Sequence, residues 1–107
     1  MATLSEETIS TLTRVVVDAA HPKRLILFGS HARGDARDDS DVDLMVVEEN
    51  PSDRLMEMVR LNRMLRRLEV AVDLLVVSEE KFTHWRDTPG NVYFEASSEG
   101  RVLYEAA

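Results

Sequence analysis

Five aspartates, Asp35, Asp38, Asp39, Asp41 and Asp43, fall within nine residues, and the last two lead into the apolar run Val42 to Val47. Like charges this dense repel, so a fold that keeps them must supply a counter-charge or a use. Val42 to Val47 reads as a strand entered through Asp41. Residues i and i+2 of a strand point to the same side, so Asp41 and Asp43 present two carboxylates on one face. Two carboxylates so placed repel unless a cation lies between them. Hard divalent ions such as Mg²⁺ accept one or two carboxylates together with substrate phosphates, and this pair suits that role.

The rest of the chain brackets what such a pair can serve. At 107 residues, the sequence fits one domain spanning 1–107, large enough to bury a core without covalent staples. There are no cysteines, which excludes disulfides, thiolate metal sites and cysteine nucleophiles. Met1 to Ser10 is polar and acidic, with no basic stretch followed by an apolar run. No apolar stretch approaches the roughly 20 residues of a membrane helix. A cytoplasmic protein with no membrane association is therefore expected. The net charge of −7 argues against nucleic acid as a default partner, because affinity for phosphate backbones comes from Lys and Arg. A nucleotide remains compatible where metal ions neutralise part of the acid.

Helical and extended patterns alternate, which predicts a mixed α/β domain. Ile9, Leu12, Val16 and Ala19 keep a 3.6-residue period in a helix from about Ser5 to Ala20. Thr3 and Glu6 fit a capping box at its start, and Pro22 ends it. Arg24 to Phe28 reads as a buried strand broken by Gly29-Ser30. A short helical turn from His31 to Gly34 and a charged loop from Asp35 to Ser40 precede the acid-bearing strand. Asn50 as N-cap and Pro51 at the first helical position predict a long helix to Leu68, with Leu55, Met58, Val59, Leu65 and Leu68 on its inner face. A third strand spans Val70 to Val77. Ser78 caps a short helix holding Lys81, Phe82 and Trp85, and Thr88-Pro89-Gly90 turns the chain. A last helix covers Asn91 to Ser98, and Val102-Leu103-Tyr104 forms a short edge strand.

Asp73 interrupts the apolar third strand. An unpaired buried carboxylate is costly, so it must reach a cation, a donor or the rim of a cleft. If the third strand lies beside the second, Asp73 joins Asp41 and Asp43 in a three-carboxylate cluster. Such a cluster can hold two metal ions for an in-line displacement at phosphorus. Gly29-Ser30 supplies the complementary half. Glycine at a strand end allows close approach of a phosphate, N–H groups opening the following turn face the anion, and the Ser30 hydroxyl adds a donor. Arg33 either pairs with phosphate through its planar fork or forms an ion pair with Asp35 or Asp38. His31 is read as an exposed loop residue, with the nucleotide as its alternative.

Competing patterns fail. Neither G-x-x-x-x-G-K-[ST] nor G-x-G-x-x-G occurs. Asp39, Asp41 and Asp43 match the first ligands of an EF-hand loop, but Leu44 replaces its glycine and Asn50 its closing glutamate. Arg60, Arg63 and Arg67 share a helix face with Arg54 and Arg66 nearby. A solvated surface is the plainer reading, with phosphate or an acidic partner as alternatives. Phe82, Trp85, Tyr93 and Phe94 belong to the core or to a partner-facing patch, and Trp85 near Pro89 could stack on a base.

Gly29-Ser30, ten residues, then Asp41-Val42-Asp43 resembles the signature of the DNA polymerase beta-like nucleotidyltransferase superfamily. The fuller strings Gly29-Ser30-His31-Ala32-Arg33-Gly34 and Ser40-Asp41-Val42-Asp43-Leu44 resemble its minimal nucleotidyltransferase branch. Asp73 matches the third carboxylate of that family by strand context. The resemblance implies a palm-like domain, a small mixed sheet of three to four strands flanked by helices. It implies two Mg²⁺ ions held by Asp41, Asp43 and Asp73, with Asp73 as the alternative base for the acceptor hydroxyl, and ATP as substrate. It further implies an antitoxin that transfers AMP to a tyrosine of a HEPN-type toxin. The chain has the length of a catalytic half alone, so the acceptor surface is expected from a partner protein or from a homo- or hetero-oligomer. Two alternatives stay open: a module that neutralises its partner by contact alone, and nucleotidyl transfer to a small hydroxylated molecule or an RNA end.

Overall fold

The computed structural model describes residues 4–107. Helix α1 spans Glu6–Ala20. Its cap is Ser5, whose side chain accepts from the Thr8 N–H at 3.1 Å. Thr3, expected to cap it, lies outside the described residues. Ile9, Leu12 and Val16 are buried, as the helical period requires. Strand β1 (Arg24–Phe28) follows, then a four-residue helix α2 (Ser30–Arg33), strand β2 (Val42–Glu48) and helix α3 (Arg54–Leu65), which tightens into a 3₁₀ turn at Arg66–Leu68. Strand β3 (Val72–Ser78), helices α4 (Glu79–Trp85) and α5 (Val92–Glu99) and strand β4 (Arg101–Glu105) complete the chain.

The strands form one four-stranded mixed sheet in the order β3-β2-β1-β4. β1 runs antiparallel to β2 and to β4, whereas β2 and β3 are parallel and joined by α3. A parallel pair needs such a crossover. Strand alternation divides the core in two. Leu25, Leu27, Val42, Leu44, Val46, Leu74 and Val76 pack with α1 and α3 residues. Ile26, Phe28, Met45, Val47 and Val77 pack with Phe82 of α4 and Ala96 of α5.

Two sequence expectations change here. Helix α3 starts at Arg54 and not at Pro51, because Asp53 caps it by accepting from the Met56 N–H at 3.2 Å. An aspartate caps as well as an asparagine, and packing against the sheet and α1 selects the face turned inward. Leu61 and Leu65 are fully buried, with Met58 and Leu68 packed beside them. Leu55 and Val59, expected inside, stand 69% and 48% exposed. β3 likewise begins at Val72 and not at Val70, because Glu69 takes a left-handed conformation (φ 56°) that ends the 3₁₀ turn. The Val42 N–H donates to the Ala71 carbonyl at 2.8 Å, sealing the start of the parallel pair.

Candidate active site

Parallel register places Asp43 of β2 directly against Asp73 of β3, with Phe28 of β1 on the other flank of Asp43. Both aspartates lie on the α4–α5 face, since Met45, Val47 and Val77, two or four residues on, point there. Asp41 precedes β2 by one residue and is exposed. Asp43 is half-buried, and its carboxyl is pushed above the usual carboxylate range. Burial is the main cause, followed by the negative charges of Asp73, Asp41 and Glu95, with His31 acting in the opposite sense. The structure thus brings Asp41, Asp43 and Asp73 to one end of the sheet.

The glycine turn lies at the same end. Gly29 has φ 74° and ψ −157°, a region essentially reserved for glycine. A Cβ at this position would collide with Asp43 Oδ2, so the missing side chain leaves room for the carboxylate. The Gly29 carbonyl accepts from the Ala32 and Arg33 N–H groups at 3.1 and 3.0 Å, which closes α2. The first turn of a helix leaves N–H groups without intrahelical acceptors, and here that turn opens at Ser30. The charged loop is braced from both ends. His31 Nε2 donates to the Ser40 carbonyl at 3.1 Å, and Ser40 Oγ accepts from the Arg37 N–H at 2.8 Å. His31 is half-buried and not the exposed loop residue expected.

Arg33 follows the ion-pair alternative. Its guanidinium donates to Asp35, Glu95 and Glu99, each at 3.3 Å, so α2 is tied to α5. Glu95 is the site residue that sequence reasoning missed. It reaches the neighbourhood of Asp43 only because α5 folds over this face, and nothing in its local pattern marks it. A cavity of about 510 Å³ opens here, lined by Arg33, Asn91, Phe94 and Glu95 among others. A larger cleft of about 670 Å³ lies at the opposite end of β2 and β3, between Glu49–Leu55 and Ser78–Lys81, away from the aspartates.

Among the described residues no hydrogen bond or ion pair occupies the carboxylates of Asp41, Asp43 or Asp73. Among the described residues no three His, Asp or Glu side chains stand close enough to hold a metal ion as they are. The expected cluster is therefore three neighbouring carboxylates that share a face without converging on one point, as their mutual repulsion requires. Their chemistry nonetheless fits a hard divalent cation, which would relieve both the burial of Asp43 and its repulsion by Asp73.

A mixed sheet carrying acidic residues on a central strand and the edge strand paired with it, beside a glycine turn, defines a class of protein suited to phosphate chemistry. Residues 10–107 match the family described as Polymerase beta, Nucleotidyltransferase, and the chain belongs to that family. It is 34% identical over 82 residues to a candidate protein adenylyltransferase of Methanocaldococcus jannaschii, covering 77% of this chain and 78% of the relative. Two solved structures share the fold. One is a chain of a toxin–antitoxin complex with AMP-PNP (TM-score 0.67, 19% identity, covering 92% of this chain and 73% of that one). The other is a chain of the complex between the tri-AMPylated Shewanella oneidensis HEPN toxin and an MNT antitoxin (TM-score 0.59, 17% identity, covering 92% and 70%). Among the described residues no helix is long and apolar enough to cross a membrane.

Proposed function

We propose that this nucleotidyltransferase moves AMP from ATP onto a tyrosine hydroxyl of a HEPN-type toxin and thereby acts as its antitoxin in the cytoplasm. The reading rests on Asp43 and Asp73 standing side by side in register, with Gly29 packed against the Asp43 carboxylate. The M. jannaschii relative supports protein adenylylation. The AMP-PNP and AMPylated-toxin complexes with the same fold support the nucleotide and the partner.

Asp41 and Asp43 would hold two Mg²⁺ ions, and Asp73 would share one or accept the acceptor's proton. Bound there, the ions would supply charge neutralisation for the triphosphate and for the displacement at phosphorus. Gly29 and Ser30 would seat the phosphates through close backbone approach and the serine hydroxyl. The acceptor oxygen bonds to the α-phosphorus as the bond to pyrophosphate breaks. Arg33 would join the phosphates only by leaving Glu95 and Glu99.

The test is transfer of label from α-labelled ATP to the partner. Asp41→Asn with Asp43→Asn should abolish labelling while circular dichroism stays that of the wild type. Labelling that persists in the pure double variant contradicts the assignment. Neutralisation of the partner without labelling points to a module that acts by contact alone.

A further inference from the structure

We infer that the outer face of α3, where Leu55, Met56 and Val59 lead into Arg63, Arg66 and Arg67, is the docking surface for an acidic amphipathic helix of the protein acceptor. This rests on the reading above only in taking the acceptor to be a protein. Successive helical residues are 100° apart, so Leu55, Met56, Val59, Arg63 and Arg66 fall opposite the buried Leu61 and Leu65. Leu55 and Met56 are 69% and 62% exposed, a large apolar area for one helix to leave in water. Arg63, Arg66 and Arg67 are exposed, and among the described residues no hydrogen bond or ion pair engages them. Arg24, Arg33, Arg60 and Arg101, by contrast, are all paired with carboxylates. In a chain of net charge −7, three cations without partners beside three exposed apolar side chains are complementary to a surface that carries both carboxylates and hydrocarbon.

The topology gives this face a relation to the site. α3 is the crossover between parallel strands, so its C-terminal end lies where β3 begins, the end that holds Asp43 and Asp73. A partner helix seated with its carboxylates on the arginines is thereby held beside the site. A second copy of this chain fits the face less well, because the outer face of α3 carries no carboxylate to meet Arg63, Arg66 and Arg67. Single-stranded nucleic acid fits less well too, because its bases stack on aromatic side chains, and this face has none.

The probe is a synthetic helical peptide with leucines at helical spacing flanked by glutamates, titrated against the full chain by fluorescence anisotropy. Saturable binding is expected. It should weaken about tenfold or more in Val59→Asp and in Arg63→Glu/Arg66→Glu/Arg67→Glu, with helix content unchanged. All four positions are exposed, so these changes spare the core. Asp41→Asn/Asp43→Asn should bind the peptide like the wild type, which separates this inference from the catalytic one. The inference is overturned if no saturation occurs, if the substitutions change nothing, or if a lysine-for-glutamate peptide binds equally well. It is also overturned if an oligouridylate competes the peptide away, or if sedimentation shows self-association that Val59→Asp removes.

Discussion

Gly29 shows how one residue links backbone to chemistry. Its φ and ψ are open to glycine at a small cost and to other residues at roughly 1–3 kcal/mol. Gly29→Ala should therefore lower unfolding stability by about that amount in a urea titration. Transfer should fall further than the lost stability explains, because the new Cβ displaces Asp43 Oδ2. A second residue, Glu48 at the end of β2, carries a different strain. Burial, together with the adjacent Glu57, pushes its carboxyl up to about 7, and its Oε2 has no hydrogen-bond partner among the described residues. A folded pKa above the unfolded one means that the folded state binds the proton more tightly. The stabilising increment is complete below the unfolded pKa of Glu48, 4.5, and is lost as pH rises through about 7. Glu48→Gln should raise Tm at pH 8 and leave it nearly unchanged at pH 4. Solvent screening at a partly exposed carboxyl holds the gain at pH 8 to about 1 kcal/mol. A gain that is larger at pH 4 than at pH 8 contradicts the assignment. The aspartates of the candidate site were legible in the sequence because a carboxylate at or within a continuous apolar run has few reasons to be there. Glu95 was not, since only the tertiary placement of α5 brings it near Asp43.

Helix α3 marks where reading an element from its pattern fails. Leu55, Met58, Val59, Leu61, Leu65 and Leu68 offer two overlapping apolar stripes, and packing against the sheet and α1 decides between them. Asn50-Pro51 has the composition of a helix start, yet Asp53 takes the role; separately, the stripe through Met58, Leu61, Leu65 and Leu68 is the one that meets the core. The choice has a direct consequence for stability. Leu61→Ala should cost about 2–5 kcal/mol by opening a cavity against the sheet. Leu55→Ala should stay within about 0.5 kcal/mol. Chemical denaturation of both variants separates the two stripes, and comparable losses would return Leu55 to the core. Strand β1 and helix α4 read correctly because each has one dominant signal. For β1 it is a short apolar run closed by Gly29-Ser30. For α4 it is Ser78, whose hydroxyl accepts from the Lys81 N–H at 3.1 Å.

At the scale of the whole molecule, the order of elements was written in the sequence, but the order of strands was not. Hydrophobic periodicity reports which residues face a core, and it is silent on which strand lies beside which. The neighbouring of β2 and β3 was a condition of the carboxylate argument, and the structure meets it through the α3 crossover and the pairing of Asp43 with Asp73. β1, tied to the outer strand β4 and to α4 by Arg24, which reaches Glu79 at 2.7 Å and Glu105 at 3.1 Å, anchors the other half of the sheet. The fold thus concentrates negative charge at one end of the sheet, beside a turn whose conformation favours glycine. The most direct measurement is Mn²⁺ uptake followed by electron paramagnetic resonance, with AMP-PNP present and Mn²⁺ standing in for Mg²⁺. The wild-type chain should take up the ion, and Asp43→Asn/Asp73→Asn should lose most of that uptake while remaining folded. Equal uptake by the two proteins would contradict the claim that these carboxylates form a metal-binding active site.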